Sequence, residues 1–274
     1  GALLSRNISA IVDFAATRMR VGLVEPGDET EIGIFADGLM IKLGLDWGRA
    51  RVAAIPKLPP SARGETMKQP DKIGRPERVT QDRILTLFRD ELGYRYLGDW
   101  RDRDGNTNIE ESYLTAYLTR AGYAPAQIAK VIHALRTEAD NHSRGLYGNN
   151  QAVYSLLRYG VPVKIEAGRP TETVHLINWT EPLQNDFAIA EEVTLRGNYE
   201  RRPDIVLYVN GIAVGVVELK NSRVSIGDGI RQNLSNQSSE FNAWFFSTVQ
   251  FVFAGSDSEG LRYGAIGTEE KYFL

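Results

Sequence analysis

Three residues near the middle of the chain have the types and spacing of a metal-dependent hydrolytic site. Asp204 opens one apolar run, and Glu218 and Lys220 close the next. Carboxylate oxygens are the ligands that Mg²⁺ prefers, and the ion keeps positions open for water and phosphate. A bound metal lowers the pKa of water, and a lysine can orient that water and offset phosphate charge. The set predicts phosphodiester hydrolysis, with the Leu219 carbonyl as a further metal ligand beside the two acids.

The alternative is that these are ordinary charged residues at strand ends, since a bare PD…ExK pattern occurs often by chance. The context favours a site. Both runs between the charges are strongly apolar, and Asn210-Gly211 is a typical hairpin turn between them. Glu218 and Lys220 are two apart on a predicted strand, so they point to the same face.

Whether Asp204 joins them depends on the hairpin register. A two-residue turn at Asn210-Gly211 would leave Glu218 on the opposite face of the sheet from Asp204. A three-residue loop that pairs Tyr208 with Ile212 would place Asp204 diagonal to Glu218 on its own face. We predict this second register, or a bulge of equal effect.

The surrounding pattern predicts the elements that must position the site. Helices are predicted first, and strands then alternate with one further helix, which indicates an α/β fold with a mixed central sheet flanked by helices and an N-terminal helical part. The predicted helices are 80–92, 110–120, 125–140, 150–159 and 225–236. The predicted strands are 162–166, 173–178, 187–195, 204–209, 212–220, 249–254 and 261–266, and 99–108 is expected to be a charged loop.

Three regions follow from the composition along the chain. Residues 1–55 are an extension of unknown role, with a short helix at 8–21 and a hairpin at 31–45. Residues 56–76 are rich in proline and charge and are predicted to be a linker. Residues 77–274 form the main domain.

Composition limits the function classes. The chain has 274 residues, no cysteine and a net charge of −3. Disulfides, thiolate metal sites and cysteine nucleophiles are excluded. The charge argues against DNA binding by bulk charge and leaves room for a local basic site. The sequence shows no secretory pattern and no apolar stretch long enough to span a membrane, so we expect a cytoplasmic protein.

Beyond the three-residue motif, seven stretches carry a wider resemblance, at 92–98, 146–150, 185–187, 202–207, 215–220, 229–234 and 260–264. Through them residues 76–274 resemble the N-terminal nuclease region of the R subunit of type I restriction-modification enzymes, in the PD-(D/E)xK superfamily. The resemblance implies a restriction-endonuclease-like core and a Mg²⁺-dependent endonuclease, with metal roles for Asp204 and Glu218 and a catalytic role for Lys220. It implies double-stranded DNA as substrate, and the methyltransferase and specificity subunits as partners. The family's ATP-driven motor needs a phosphate-binding Gly-Lys loop that this chain does not contain, so ATP is not assigned here.

Further residues are weaker candidates. Some members of that family carry a Gln…Tyr pair on the helix after the lysine. Gln232 matches the glutamine and is a candidate DNA or active-site contact, whereas Asn236 stands at the tyrosine position. An acid on the first helix often assists in this nuclease class, and Glu77 and Glu91 are the candidates for it.

Arg196, Arg201 and Arg202 lie just before the site and are candidates for DNA phosphate contacts. Exposed arginines beside turns are common, so a plain surface role is the alternative for each. For the whole chain, the rival interpretation is a non-catalytic docking or DNA-binding module of a restriction complex. A different PD-(D/E)xK nuclease is a third hypothesis, which the wider resemblance disfavours.

Overall fold

A computed structural model describes residues 77–165, 168, 170–197, 199–221, 223–256 and 258–274. The predictions for the extension at 1–55 and for the linker at 56–76 lie outside the described residues.

The centre of the domain is a mixed sheet, as the sequence predicts, and the sheet has six strands. Its strands are β1 (Arg95–Asp99), β4 (Phe187–Glu191), β5 (Ile205–Val209), β6 (Ile212–Lys220), β7 (Phe251–Ser256) and β8 (Gly260–Gly264). They lie in the order β1-β4-β5-β6-β7-β8. The β1–β4 and β6–β7 pairs are parallel and the other pairs are antiparallel. Two short strands, β2 (Val161–Val163) and β3 (Glu172–Val174), form a separate antiparallel pair.

Helices cover both faces of the sheet. They are α1 (Glu77–Thr86), which continues into a π-helical turn at Leu87–Glu91, then α2 (Glu111–Arg120), α3 (Pro125–Ala139), α4 (Leu146–Tyr159), α5 (Ile226–Asn236) and α6 (Ala243–Phe246). Because side chains alternate along a strand, Ile205 and Val217 pack with α1 to α4 on one face. Val206 and Val216 pack with α5 and α6 on the other face.

The β5–β6 hairpin differs in detail from the predicted loop. Val209 pairs with Ile212, so the turn has two residues, Asn210 and Gly211, with φ values of 52° and 83°. The three-residue loop is therefore wrong. The tight turn is held because Asn210 Nδ2 donates to the Leu176 carbonyl at 2.9 Å, and both residue types tolerate a positive φ.

The alternative prediction, a bulge, is confirmed. Tyr208 pairs with Ala213, but Leu207 pairs with Gly215, so Val214 is an extra residue in β6. Beyond the bulge Ile205 pairs with Val217. In this antiparallel pair, the residue before Ile205 lies opposite the residue after Val217. Asp204 is therefore directly opposite Glu218, rather than diagonal to it.

Other differences have local causes. β1 and α6 were not predicted: β1 is a short, largely exposed edge strand whose pairing with β4 joins residues about 90 positions apart. The predicted strand 187–195 ends at Glu191 because Glu192 takes a φ of 52°. Among the helices of the described residues, none combines the length and apolar character needed to cross a membrane.

Candidate active site

Asp204 and Glu218 face each other at the ends of β5 and β6, on the face that packs against α5. Glu218 is fully buried. Asp204 immediately precedes β5, and its Oδ2 accepts a hydrogen bond from the Leu219 backbone N–H at 2.6 Å. This bond fixes the Asp204 carboxylate against the end of β6, so the turn, the bulge and the bond together bring the two acids to one place.

Lys220 lies beside the two acids. Its Nζ donates to the Leu219 carbonyl at 3.0 Å and lies 3.6 Å from Oε1 of Glu77 in α1. The lysine side chain is only 13% exposed. Helix α5 passes close to its stem at Gly229, where an added Cβ would be 3.4 Å from Lys220 Cγ. The lysine is thus enclosed between the two helices that flank this end of the sheet.

Both carboxyl groups are held in surroundings that oppose their ionisation. Burial raises the pKa of Asp204 to about 6, although the Leu219 N–H and the Lys220 ammonium act in the opposite direction. Burial also raises the pKa of Glu218 well above its usual value, and the neighbouring charge of Asp204 raises it further. Paired acids of this kind are common where a protein must bind a cation or move a proton.

The donor set fits a hard divalent cation. Oε2 of Glu218 is buried and has no hydrogen-bond partner among the described residues. Such an oxygen is costly to bury alone, and a metal ion would satisfy it. The Leu219 carbonyl accepts from Lys220, and because a carbonyl oxygen has two lone pairs, this bond does not by itself prevent it from binding a metal ion.

The site has few protein ligands. Within the part of the chain that the structure describes, no group of three or more histidine, cysteine, aspartate or glutamate side chains is arranged to hold a metal ion. A Mg²⁺ ion here would take two carboxylates and the Leu219 carbonyl from the protein, and water and phosphate oxygens would have to complete its coordination.

Helix α1 contributes residues that sequence reasoning missed. Gln81 Nε2 donates to Oε2 of Glu191 at 2.9 Å and to the Asp204 carbonyl at 3.4 Å. Glu191 is almost fully buried at the end of β4 and lies 2.8 Å from Arg78 Nη1. For Glu191, the signal in the sequence was that it and Glu192 are adjacent acids at the end of an apolar run. Of the two candidate acids on this helix, Glu77 reaches Lys220, and Glu91 is exposed on the π-helical turn.

Glu192 connects the site to the candidate arginines. Its backbone N–H donates to the Asp204 carbonyl at 2.9 Å. Its Oε2 lies 2.8 Å from Arg202 Nε and 3.4 Å from Arg101 Nη2. Arg202 is therefore held near Asp204 with its charge already paired. Arg101 was not singled out from the sequence.

The remaining residues that the sequence suggested as DNA contacts are Arg201, Arg196 and Gln232. The Arg201 guanidinium sits 3.9 Å above the Phe241 ring, and Arg196 is ion-paired with Asp104. Gln232 is partly buried on α5, one turn before Asn236. Asn236 itself reaches the site, because its Nδ2 donates to Oε1 of Glu218 at 3.4 Å. From the sequence alone, this position is the tyrosine half of the Gln…Tyr pair, which this chain lacks.

Comparison with known proteins agrees with this architecture. The family model described as type I restriction enzyme R protein N terminus matches residues 75–271. A protein of Methanocaldococcus jannaschii, named as a type I restriction enzyme MjaIXP endonuclease subunit, is 22% identical over 174 residues. That match covers 58% of this chain but 16% of the relative, so the chain corresponds to a small part of that protein. The mixed sheet flanked by helices is consistent with a restriction-endonuclease-like fold, and the chain belongs to the family of type I restriction enzyme R protein N-terminal regions.

Proposed function

We propose that residues 77–274 are a Mg²⁺-dependent endonuclease domain of the PD-(D/E)xK type, which hydrolyses phosphodiester bonds of double-stranded DNA. The observation that carries the proposal is the placement of Asp204 directly opposite Glu218 on one face, with Lys220 alongside. A chance PD…ExK match in a hairpin would have no reason to include a bulge that turns both acids to the same side.

In the proposed site, Asp204 and Glu218 would hold the ion, and the Leu219 carbonyl would be its third protein ligand. A bound divalent ion supplies positive charge to the scissile phosphate and lowers the pKa of a water molecule. Lys220 holds the attacking water and offsets charge on the phosphate through its ammonium group. Glu77 lies 3.6 Å from that ammonium and is proposed to hold it at this end of the sheet.

DNA contacts are proposed for the residues around this end of the sheet. Arg202 precedes Asp204 by two residues and is proposed to contact a phosphate once DNA displaces part of its ion pair with Glu192. Arg201, Arg196 and Gln232 are proposed as weaker contacts on the approach to the site.

The domain is proposed to work within a larger cytoplasmic restriction complex. The methyltransferase and specificity subunits would select the DNA, and an ATP-driven motor elsewhere in the R subunit would deliver it. Arg101 and Arg202, which lie beside the site, are both ion-paired with Glu192 and are therefore not free to bind DNA phosphates. Such a domain benefits from having its substrate delivered by partners.

The proposal is tested by calorimetric titration of the 274-residue chain with Mg²⁺ and by nicking of supercoiled DNA with the same samples. We expect Glu218→Ala and Asp204→Ala to lose both metal binding and nicking while keeping the fold. Glu240→Ala removes one exposed acid elsewhere and serves as the matched control, with both properties retained.

A further variant separates binding from chemistry. Lys220→Gln removes the ammonium but no proposed metal ligand, so we expect Mg²⁺ binding to persist while nicking falls by about 10² to 10³-fold. If the wild-type chain binds no Mg²⁺, or if both acid variants cut DNA normally, the docking module becomes the better interpretation.

A further inference from the structure

We infer that Asn236 is a positioning residue for Glu218; this inference rests on the proposed function of the site. Asn236 is the last residue of α5, and both it and Glu218 are fully buried. The Asn236 amide reaches across from the helix to the strand, with Nδ2 3.4 Å from Oε1 of Glu218. Within the part of the chain that the structure describes, this is the hydrogen bond that the Glu218 carboxyl group accepts.

The bond divides the two oxygens of Glu218 between two roles. Oε1 is directed to the helix, and Oε2 is left buried without a partner among the described residues. A carboxylate that binds a metal ion is usually held by a further hydrogen bond, which fixes its rotamer and the direction of its free oxygen. Asn236 supplies that bond, so Oε2 is the oxygen presented to the ion.

Helix α5 also provides a closely matched residue without this role. Asn233 is fully buried one turn earlier, and its Nδ2 donates to the Phe253 carbonyl at 2.9 Å. In both asparagines the Oδ1 atom is buried and has no partner among the described residues. The two residues therefore share their type, helix, burial and unsatisfied acceptor, and they differ in whether the amide holds Glu218 or the backbone of β7.

This pair permits a sharp test by calorimetric titration of the full chain with Mg²⁺, in the absence of DNA. The variants are Asn236→Ala and Asn233→Ala, with Glu218→Gln as the control that removes the metal ligand itself. We expect Asn236→Ala to weaken Mg²⁺ binding by about 10 to 100-fold, as is typical when a partner of a metal ligand is removed. Asn233→Ala should bind Mg²⁺ as the wild type does, although its thermal unfolding temperature falls.

Folding is checked by thermal unfolding of each variant with and without Mg²⁺, because a ligand that binds only the folded state raises its unfolding temperature. Should Asn236→Ala not fold, Asn236→Ser gives the same comparison, since the serine hydroxyl is too short to reach Oε1.

The outcomes are distinct. Weaker binding in the Asn236 variants alone supports the positioning role. Equal Mg²⁺ affinity in the Asn236 and Asn233 variants overturns it, while the metal site still stands if Glu218→Gln has lost the ion. Absence of Mg²⁺ binding in the wild type overturns the proposed function and this inference with it.

Discussion

The Asp204 carboxyl group is held where its charged form is disfavoured, which has a consequence for stability. Burial raises its pKa from 3.8 to about 6, and Glu77 and Glu192 add like charge nearby. A raised pKa means that the folded protein binds a proton more tightly than the unfolded chain does. The metal-free protein must therefore lose stability as pH rises from about 4 through about 6, and Glu218 extends this loss to higher pH.

We accordingly expect Asp204→Asn to stabilise the metal-free protein at pH 8. Asparagine keeps the shape and can still accept the Leu219 N–H, but it carries no charge. The rise in the pKa of Asp204 corresponds to roughly 3 kcal/mol in the free energy of unfolding. Because the side chain is partly exposed, we expect a gain in stability of about 1 to 2 kcal/mol. Urea unfolding in EDTA at pH 8 and pH 4 measures it, and the gain should be small at the lower pH.

Asp102→Asn is the control, since it removes one carboxylate from an exposed position. A gain of the same size in that variant would point to the net charge of the chain rather than to the site. A loss of stability in Asp204→Asn at pH 8 would contradict the burial argument.

The β5–β6 hairpin is the element that decides whether the site exists. Gly211 has a φ of 83°, and a Cβ there would lie 2.7 Å from the Glu110 carbonyl oxygen and 2.8 Å from the Leu114 nitrogen. The turn is therefore tight both in backbone conformation and in its fit against the start of α2. It sets the pairing from which the Val214 bulge then brings Asp204 opposite Glu218.

From this fit we expect Gly211→Ala to lower the free energy of unfolding by about 2 to 4 kcal/mol, from left-handed strain and steric overlap together. Gly105→Ala measures the left-handed strain without the steric overlap. Gly105 has a φ of 73°, but nothing lies within 4 Å of an added Cβ. Its expected loss is about 1 to 2 kcal/mol. Equal losses in the two variants, measured by urea unfolding, would show that the contacts of Gly211 do not matter.

At the level of the secondary-structure elements, the sequence predicts the features that depend on neighbouring residues. β6 was predicted to the residue because a turn dipeptide and charged residues bound its apolar run. The need for both acids to share one face followed from their chemistry, but the choice between a three-residue loop and a bulge, and the position of the bulge, did not. Val214 is the extra residue, and the adjoining Gly215 has Leu207 packed so closely that a Cβ would be 2.9 Å from Leu207 Cδ1. Such a cross-strand contact cannot be read from periodicity.

At the scale of the whole molecule, the site is assembled from segments far apart in the chain. Gln81 of α1 contacts both Glu191 of β4 and the backbone of Asp204. Asn236 of α5 contacts Glu218 from the opposite direction. The motif itself could be found from the sequence because its residues lie close together. Its supporting contacts could not, because they depend on helix placement and on pairing between distant strands.

Charge around the assembled site bears on how the domain meets DNA. The acids brought together at this end of the sheet are Glu77, Glu191, Glu192, Asp204 and Glu218. Among the described residues, the basic side chains that face them include Lys220, Arg78, Arg101 and Arg202, and each of these lies within ion-pair distance of an acid. Phosphate approaching this surface therefore finds the basic side chains already paired with acids, and a net charge of −3 over the chain adds no attraction.

A bound divalent cation reverses that balance locally, so DNA affinity should depend on it. We expect the isolated chain to bind a labelled DNA duplex at least about tenfold more tightly with Ca²⁺ than with EDTA, since Ca²⁺ takes the same oxygen ligands as Mg²⁺. Fluorescence anisotropy at constant ionic strength measures this difference and separates it from general salt screening. In Glu218→Gln the dependence on Ca²⁺ should shrink, because one ligand is gone while the arginines remain. Tight binding in EDTA that is unchanged by Ca²⁺ would instead place the DNA contact on a surface away from the paired acids.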